Sequence, residues 1–199
     1  QNELRAGAFS LVAQNPMLLS AVLMLYRSLA ERVAVDSPAS LVSWIINTLW
    51  EQPTPTTRPA LATVETALAQ LAYRLVDAEH SLQVSEPDLL DAAFAVNLLE
   101  KGGSVHFTND VFLHYFAALA LDPLTVATKL TLPTFDADLR RIPQKWDKVI
   151  EMRVGLVPNP DELVSRIAEA DPFLALRCVF GSADVSRKTY HAILERLLA

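Results

Sequence analysis

The sequence predicts a mainly α-helical fold, a multi-helix bundle that contains one short β pair and ends in short packed helices. Apolar residues recur at helical spacing along most of the 199 residues. Several of these runs open on a capping residue followed by proline, as at Ser37-Pro38, and proline at the first helical position costs no hydrogen bond. Stretches with strand character cover only a few residues each. The helices therefore define the fold class.

Composition excludes several classes of protein. The chain is 51% hydrophobic and contains only 5 glycines, so a disordered chain is excluded and a sizeable core is available. The net charge is −6 and no run of Lys and Arg occurs, which argues against binding to nucleic acid or to an anionic membrane. Its single cysteine, Cys178, excludes an internal disulfide and fits a reducing compartment. We expect a cytoplasmic chain with no membrane segment.

Residues 104–121 form the stretch around which the chain is organised. Polar Thr108, Asn109 and Asp110 open a helix, because Thr108 or Asn109 can cap the first turn and Asp110 suits the positive end of the helix dipole. One face of this helix carries apolar residues at i, i+3, i+4 and i+7, namely Phe112, Tyr115, Phe116 and Leu119. The other side is also apolar, apart from a stripe with His114. We expect this helix at the centre of the bundle.

Further elements follow from the same patterns. The sequence predicts helices over residues 3–13, 16–33, 60–79, 88–101, 161–170, 171–180 and 186–198, a helix that opens at Pro38 and carries its apolar face as far as Leu49, a short one from Asp122, and strands over 81–84 and 105–107. Trp146, Val149, Ile150 and Val154 form a further inward face. Residues 52–59, with three prolines, read as a linker. We therefore divide the chain into a first helical subdomain (1–52), a winged-helix-like subdomain (58–121) and a second helical subdomain (122–199).

The middle subdomain has the element order of a winged helix with a minimal wing. Helix, strand, helix, a turn at Gly102-Gly103, strand and helix follow one another. A winged helix that reads DNA needs a basic recognition helix, and this chain has none. We therefore expect no nucleic-acid partner.

A family resemblance rests on one motif in the central stretch, Phe107-x-Asn109-x-x-Phe112-x-x-Tyr115-Phe116-Ala117-Ala118. It resembles the winged-helix signature of NACHT-type signal-transducing ATPases, usually Phe-x-His-x-x-Phe-x-Glu-Tyr-hydrophobic-Ala-Ala. Two positions depart from that signature: Asn109 stands in place of the family's His, and His114 in place of its Glu. The family's His commonly senses the phosphate of bound nucleotide. Asn109 is either a replacement phosphate donor or only a helix cap.

Weaker matches occur in the family's order over residues 10–180. Asn15-Pro16-Met17 is similar to the start of the family's first helical domain, where the proline packs on the adenine of ADP or ATP; an ordinary helix cap is the alternative. Leu68-x-x-Leu71-Ala72 resembles the first helix of the winged helix. Trp146-x-x-Val149-Ile150 and Asp171-Pro172-Phe173-Leu174-Ala175 resemble the helical repeats that follow it.

The resemblance implies the regulatory half of a switch. In this family, such a half packs on an upstream nucleotide-binding domain in the ADP state and moves away when ATP replaces ADP. Surfaces for self-association in the active state are then exposed. The tentative nucleotide contacts would be Pro16 and Asn109, and both would act only together with the upstream core. Because Gln1 stands inside a run with helical pattern, we expect this chain to be a piece of a longer protein.

The chain shows no catalytic constellation of its own. It has no Gly-x-x-x-x-Gly-Lys phosphate loop and no Gly-x-Ser-x-Gly elbow, and its 4 histidines lack metal-ligand spacing. The pair Arg140-Arg141 could contact a phosphate or an acidic partner, but we interpret it as a solvated surface pair. We expect no enzyme, cofactor or metal site in this chain alone. The alternative function is a stand-alone α-helical scaffold that binds a partner helix or peptide in a groove.

Overall fold

The computed structural model describes residues 19, 37–53, 58–77, 87–102, 104–181 and 184–198. These residues contain eight α-helices, one 3₁₀-helix and one two-stranded antiparallel sheet. In chain order the elements are α1 (Pro38–Glu51), α2 (Leu61–Asp77), α3 (Pro87–Ala95), β1 (Leu99–Lys101), β2 (Val105–Phe107), α4 (Asp110–Ala120), the 3₁₀-helix (Val126–Lys129), α5 (Asp147–Leu156), α6 (Asp161–Ala170), α7 (Pro172–Gly181) and α8 (Arg187–Leu198). The predicted fold class, mainly helical with one short β pair, is confirmed.

Helix α4 lies at the centre of the bundle, as predicted. It packs against α1, α2 and α5 and against strand β2. Phe112 and Phe116 are among the largest fully buried side chains, and Tyr115 is buried beside them. Ala117 and Ala118 are also fully buried, and their small side chains let neighbouring helices come close to the α4 backbone. The aromatic residues of this helix therefore anchor the core.

The chain between α3 and α4 differs from the prediction. The predicted helix over residues 88–101 ends at Ala95, and residues 99–101 form strand β1 instead. Asn97 has φ 57°, a left-handed conformation that asparagine tolerates, and the N–H of Leu98 donates to the carbonyl of Ala93 at 2.9 Å. Beyond this turn the chain pairs with β2, with Leu99 opposite Phe107. Gly102 therefore follows a strand and not a helix.

The start of α1 follows the predicted capping device. Ser37 accepts a hydrogen bond from the Ser40 backbone N–H at 3.1 Å, and the Ser40 hydroxyl oxygen accepts one in return from the Ser37 N–H at 3.0 Å. Pro38 occupies the first turn. The predicted helix over 3–13 and the predicted strand over 81–84 lie outside the described residues, and of the predicted helix over 16–33 only Leu19, which is helical, is described.

After α4 the predicted short helix from Asp122 is replaced by a turn. The Asp122 carboxylate accepts a hydrogen bond from the backbone N–H of Leu124 at 2.9 Å, and the 3₁₀-helix begins only at Val126. Helices α6, α7 and α8 lie within one residue of their predicted bounds at each end. Between the 3₁₀-helix and α5, Phe135 pairs with Arg141 in an isolated antiparallel bridge.

Helix α5 connects α1 and α4 with α7, because it packs against all three helices. Its contact with α1 is very close at Gly155. The Ser37 hydroxyl donates to the Gly155 carbonyl at 3.3 Å, and a Cβ at Gly155 would lie 3.1 Å from that of Ala39. Buried side chains from all these helices belong to one hydrophobic core. The division into 1–52, 58–121 and 122–199 stays a prediction.

Truncation of Phe116 tests the central role of α4. We expect Phe116→Ala to lower the free energy of unfolding by about 3–5 kcal/mol, because apolar transfer energy is lost and a cavity remains. Phe180→Ala is the matched control, since Phe180 is 67% exposed. Urea denaturation followed by circular dichroism measures both. Equal losses for the two variants would contradict the assignment of α4 as the centre of the core.

Candidate functional site

Asn109, the site residue predicted from the sequence, lies between strand β2 and helix α4. It is the N-cap of α4, with extended backbone, and its side-chain oxygen accepts a hydrogen bond from the Val111 N–H at 2.9 Å. Asp110, in the first turn, is exposed. The neighbouring Thr108 hydroxyl donates to the Asn97 carbonyl at 2.7 Å and thereby fixes the turn before β1 to the start of α4. The cap function predicted for Asn109 is confirmed.

The apolar positions of the motif around Asn109 are core positions. Phe107, Phe112, Tyr115 and Phe116 are all buried. The Phe116 ring contacts both the Phe107 ring, at 5.7 Å between centroids, and the Tyr115 ring, at 5.4 Å and edge to face. Packing alone therefore accounts for the aromatic residues of the signature. Its polar positions, Asn109 and His114, are where a function other than packing would lie.

His114 is the second polar position of this site. Its side chain is half-buried on α4. Burial lowers the pKa of His114 below its ordinary range, the charge of Asp110 acts in the opposite direction, and Lys148 of α5 lowers the pKa further. The neutral imidazole is therefore favoured in the folded protein. The other tentative nucleotide contact, Pro16, lies outside the described residues.

A buried ionic cluster is the feature that the sequence interpretation missed. Arg140 is exposed as expected, but the Arg141 side chain is only 6% exposed. Arg141 donates in a fork to both carboxylate oxygens of Asp147, with Nη2 to Oδ1 at 2.8 Å, and its Nε donates to Oδ2 of Asp171 at 2.7 Å. The interpretation of Arg140-Arg141 as a solvated pair is therefore wrong for Arg141.

The cluster extends to Arg177 of α7. This side chain contacts Asp147 at 3.4 Å and also pairs with Glu151. Burial tends to raise the pKa of Asp147, but hydrogen bonds from Arg141 and from the Gln144 N–H outweigh burial and hold that pKa below its ordinary range. The same pairing raises the pKa of Arg141. Both partners are therefore charged, and the geometry suits a structural bond between helices.

The sequence around Asp147 carried a signal for a buried carboxylate, although not for its contact through Arg141 with Asp171. Asp147 stands among Trp146, Val149 and Ile150, which the sequence places on an inward helix face. A carboxylate at the start of such a face needs a cationic partner when the face is buried. Arg141 is the nearest arginine before it in sequence.

The described residues offer few other sites for chemistry. No group of three or more His, Cys, Asp or Glu side chains among them could hold a metal ion. Cys178 is fully buried, and burial raises the pKa of its thiol well above the usual range, so the nucleophilic thiolate is disfavoured. None of the helices in the described ranges is long and apolar enough to cross a lipid bilayer.

Comparison with family models, curated proteins and solved structures found no match to this chain.

The cap at Asn109 gives a direct stability prediction. Asn109→Asp should leave the free energy of unfolding unchanged because both residues cap well, whereas Asn109→Ala should cost about 1 kcal/mol. Asn47→Ala is the matched control, because Asn47 is exposed on α1. Chemical denaturation measures all three variants. An Asn109→Ala variant as stable as the wild type would contradict a stabilising role for the cap.

His114 gives a prediction for pH dependence. Its lowered pKa means that the unfolded chain binds a proton more readily than the folded one near the ordinary histidine value of about 6.5. Stability is therefore expected to fall as pH drops from about 7.5 to about 5, and His114→Gln should reduce that fall. Melting temperatures across this range measure it. His191→Gln, at an exposed position, is the control. Equal slopes for wild type and His114→Gln would refute the prediction.

Proposed function

We propose that this chain is the regulatory helical half of a NACHT-type ATPase switch. Its first helical, winged-helix and second helical parts would pack on a nucleotide-binding core in the ADP state. They would move when ATP is bound, and so permit self-association and signalling, as in defence proteins. ADP or ATP would be held mainly by the core, with tentative contacts from Pro16 and Asn109.

The single observation that supports this proposal is the arrangement of the motif from Phe107 to Ala118. Its residues form the end of a β-hairpin and the central helix α4, in one continuous unit. Asn109 opens that helix at a partly exposed position, with the N–H groups of the first turn beside it. Helix N-termini favour phosphate, so a core docked here could place a nucleotide phosphate near Asn109.

A second candidate function is a stand-alone helical interaction module. One observation favours it: most of the exposed large apolar side chains lie on the segment between α4 and α5 or on the neighbouring start of α7. They are Leu124, Leu132, Phe135, Leu139, Ile142 and Phe173. Phe135 and Phe173 contact each other, and contiguous exposed apolar groups are typical of protein-binding surfaces.

Nucleotide binding distinguishes the two functions. We expect the 199-residue chain alone to bind ADP and ATP weakly or not at all, because it has no phosphate loop. The full-length protein should bind ADP, and its oligomeric state should change when ATP replaces ADP. Isothermal titration calorimetry and light scattering measure these properties. A full-length protein that binds neither nucleotide would leave the interaction module as the function. Micromolar binding of ADP or ATP to the isolated chain would contradict the proposal that the upstream core holds the nucleotide.

Substitution of Asn109 in the full-length protein tests its role in that switch. If Asn109 is only a cap, Asn109→Asp leaves the rate of ADP release unchanged, as expected from the hydrogen bond to Val111. If its amide holds phosphate, the added negative charge repels the nucleotide and ADP leaves faster, with the melting temperature unchanged. Release of a fluorescent ADP analogue measures the rate.

A further inference from the structure

The last three helices form a unit with contacts of its own. Helices α6, α7 and α8 pack on one another, and the Asp161 carboxylate at the start of α6 accepts a hydrogen bond from the Ser186 N–H at 2.8 Å, just before α8. This unit meets the rest of the described fold chiefly where α7 packs on α5 and where α6 packs on the 3₁₀-helix. Most of its connection therefore passes through the α5–α7 interface.

Negative charge is concentrated at that interface. Asp147 and Glu151 project from α5, and Asp171 lies at the start of α7 with its side chain fully buried. Two guanidinium groups, from Arg141 and Arg177, face these three carboxylates. Among the described side chains, Arg141 alone bridges Asp147 to Asp171, and neither α5 nor α7 supplies it. It comes from the segment between the 3₁₀-helix and α5.

That segment forms a small hairpin over residues 134–142. The Ile142 N–H donates to the Thr134 carbonyl at 2.7 Å, and the Asp136 N–H to the Arg140 carbonyl at 2.9 Å. Phe135 packs edge to face on Phe173 of α7, with 5.3 Å between ring centroids. The hairpin is thus attached to the unit α6–α8 by one ring contact and by Arg141.

We propose that Arg141 controls a conformational change. While Arg141 pairs with Asp147 and Asp171, the hairpin over residues 134–142 holds α6–α8 against α5. When Arg141 leaves this site, the three helices move away from α5 as one body. With Arg141 in place, each buried carboxylate has a cationic partner. Without it, Asp147 keeps the hydrogen bond from the Gln144 N–H and the contact with the partly exposed Arg177, whereas Asp171 keeps only the hydrogen bond from the Leu174 N–H among its described contacts. A buried carboxylate that loses its cationic partner is strongly destabilising.

The opening leaves both parts folded. The bond from Ser186 to Asp161 lies inside the unit, and the packing of α4 on α1 and α2 lies outside it. Apolar contacts of Leu174 and Cys178 also bury the inward face of α7, so the two parts stay together until the charge balance changes. This conformational change does not depend on nucleotide, and it would occur in either of the functions proposed above.

Hydrogen exchange measured by mass spectrometry on the 199-residue chain tests this conformational change. In Arg141→Gln, we expect the protection factors of amides in α6–α8 to fall below about 10, while those of amides in α2 and α4 stay above about 100. The exposed neighbour supplies the control, because Arg140→Gln should match the wild type. Uniform loss of protection, including complete unfolding, would overturn the proposal, as would full protection of α6–α8 in Arg141→Gln.

A double variant tests the electrostatic cause. Asp147→Asn removes one of the facing charges but keeps an oxygen that can accept the hydrogen bond from the Gln144 N–H. In the Arg141→Gln background, we expect Asp147→Asn to restore about tenfold or more of the protection in α7 and α8, because the two sites are directly coupled. If the double variant is protected no better than Arg141→Gln, charge repulsion is not what separates the helices.

Discussion

The burial of α4 is the constraint on which the rest of the structure depends. This helix is apolar around most of its circumference, so it must be covered on several sides at once. Helices α1, α2 and α5 and strand β2 provide that cover. Phe116 contacts the ring of Phe107 in strand β2 and the ring of Tyr115 in its own helix. Because Phe116 packs on Phe107, strand β2 and α4 cannot separate without opening the core. Asn109 fixes where the buried helix begins.

Features with a local cause were predictable from the sequence. Ser37 and Asn109 cap helices through hydrogen bonds to residues at most three positions away, and the bounds of α6–α8 follow from apolar spacing and from Pro172. The central position of α4 was predictable too, since a helix with so little polar surface has no stable place outside a core. At the candidate site the same reasoning recovers the cap on Asn109.

Features with a distant cause were not predictable. The end of α3 depends on the pairing of Leu99 with Phe107, and helical spacing continues past Ala95 with no sign of that partner. Arg141 and Arg140 look alike in sequence, but only Arg141 meets Asp171, a residue thirty positions later. Sequence patterns report which face of an element is apolar. They do not report which charges two elements bring together.

The contact between α1 and α5 has a mechanical consequence. At Gly155 the two helices approach until a single added carbon would touch Ala39, and the Ser37 hydroxyl bonds to the α5 backbone at the same point. The side chains nearest to this point, those of Ser37 and Ala39, are short and leave little room for a displacement. A displacement of α1 toward α5 would therefore press directly on the carboxyl end of α5, the helix whose opposite end carries Asp147. The position of α1 and the attachment of the last three helices therefore both depend on α5.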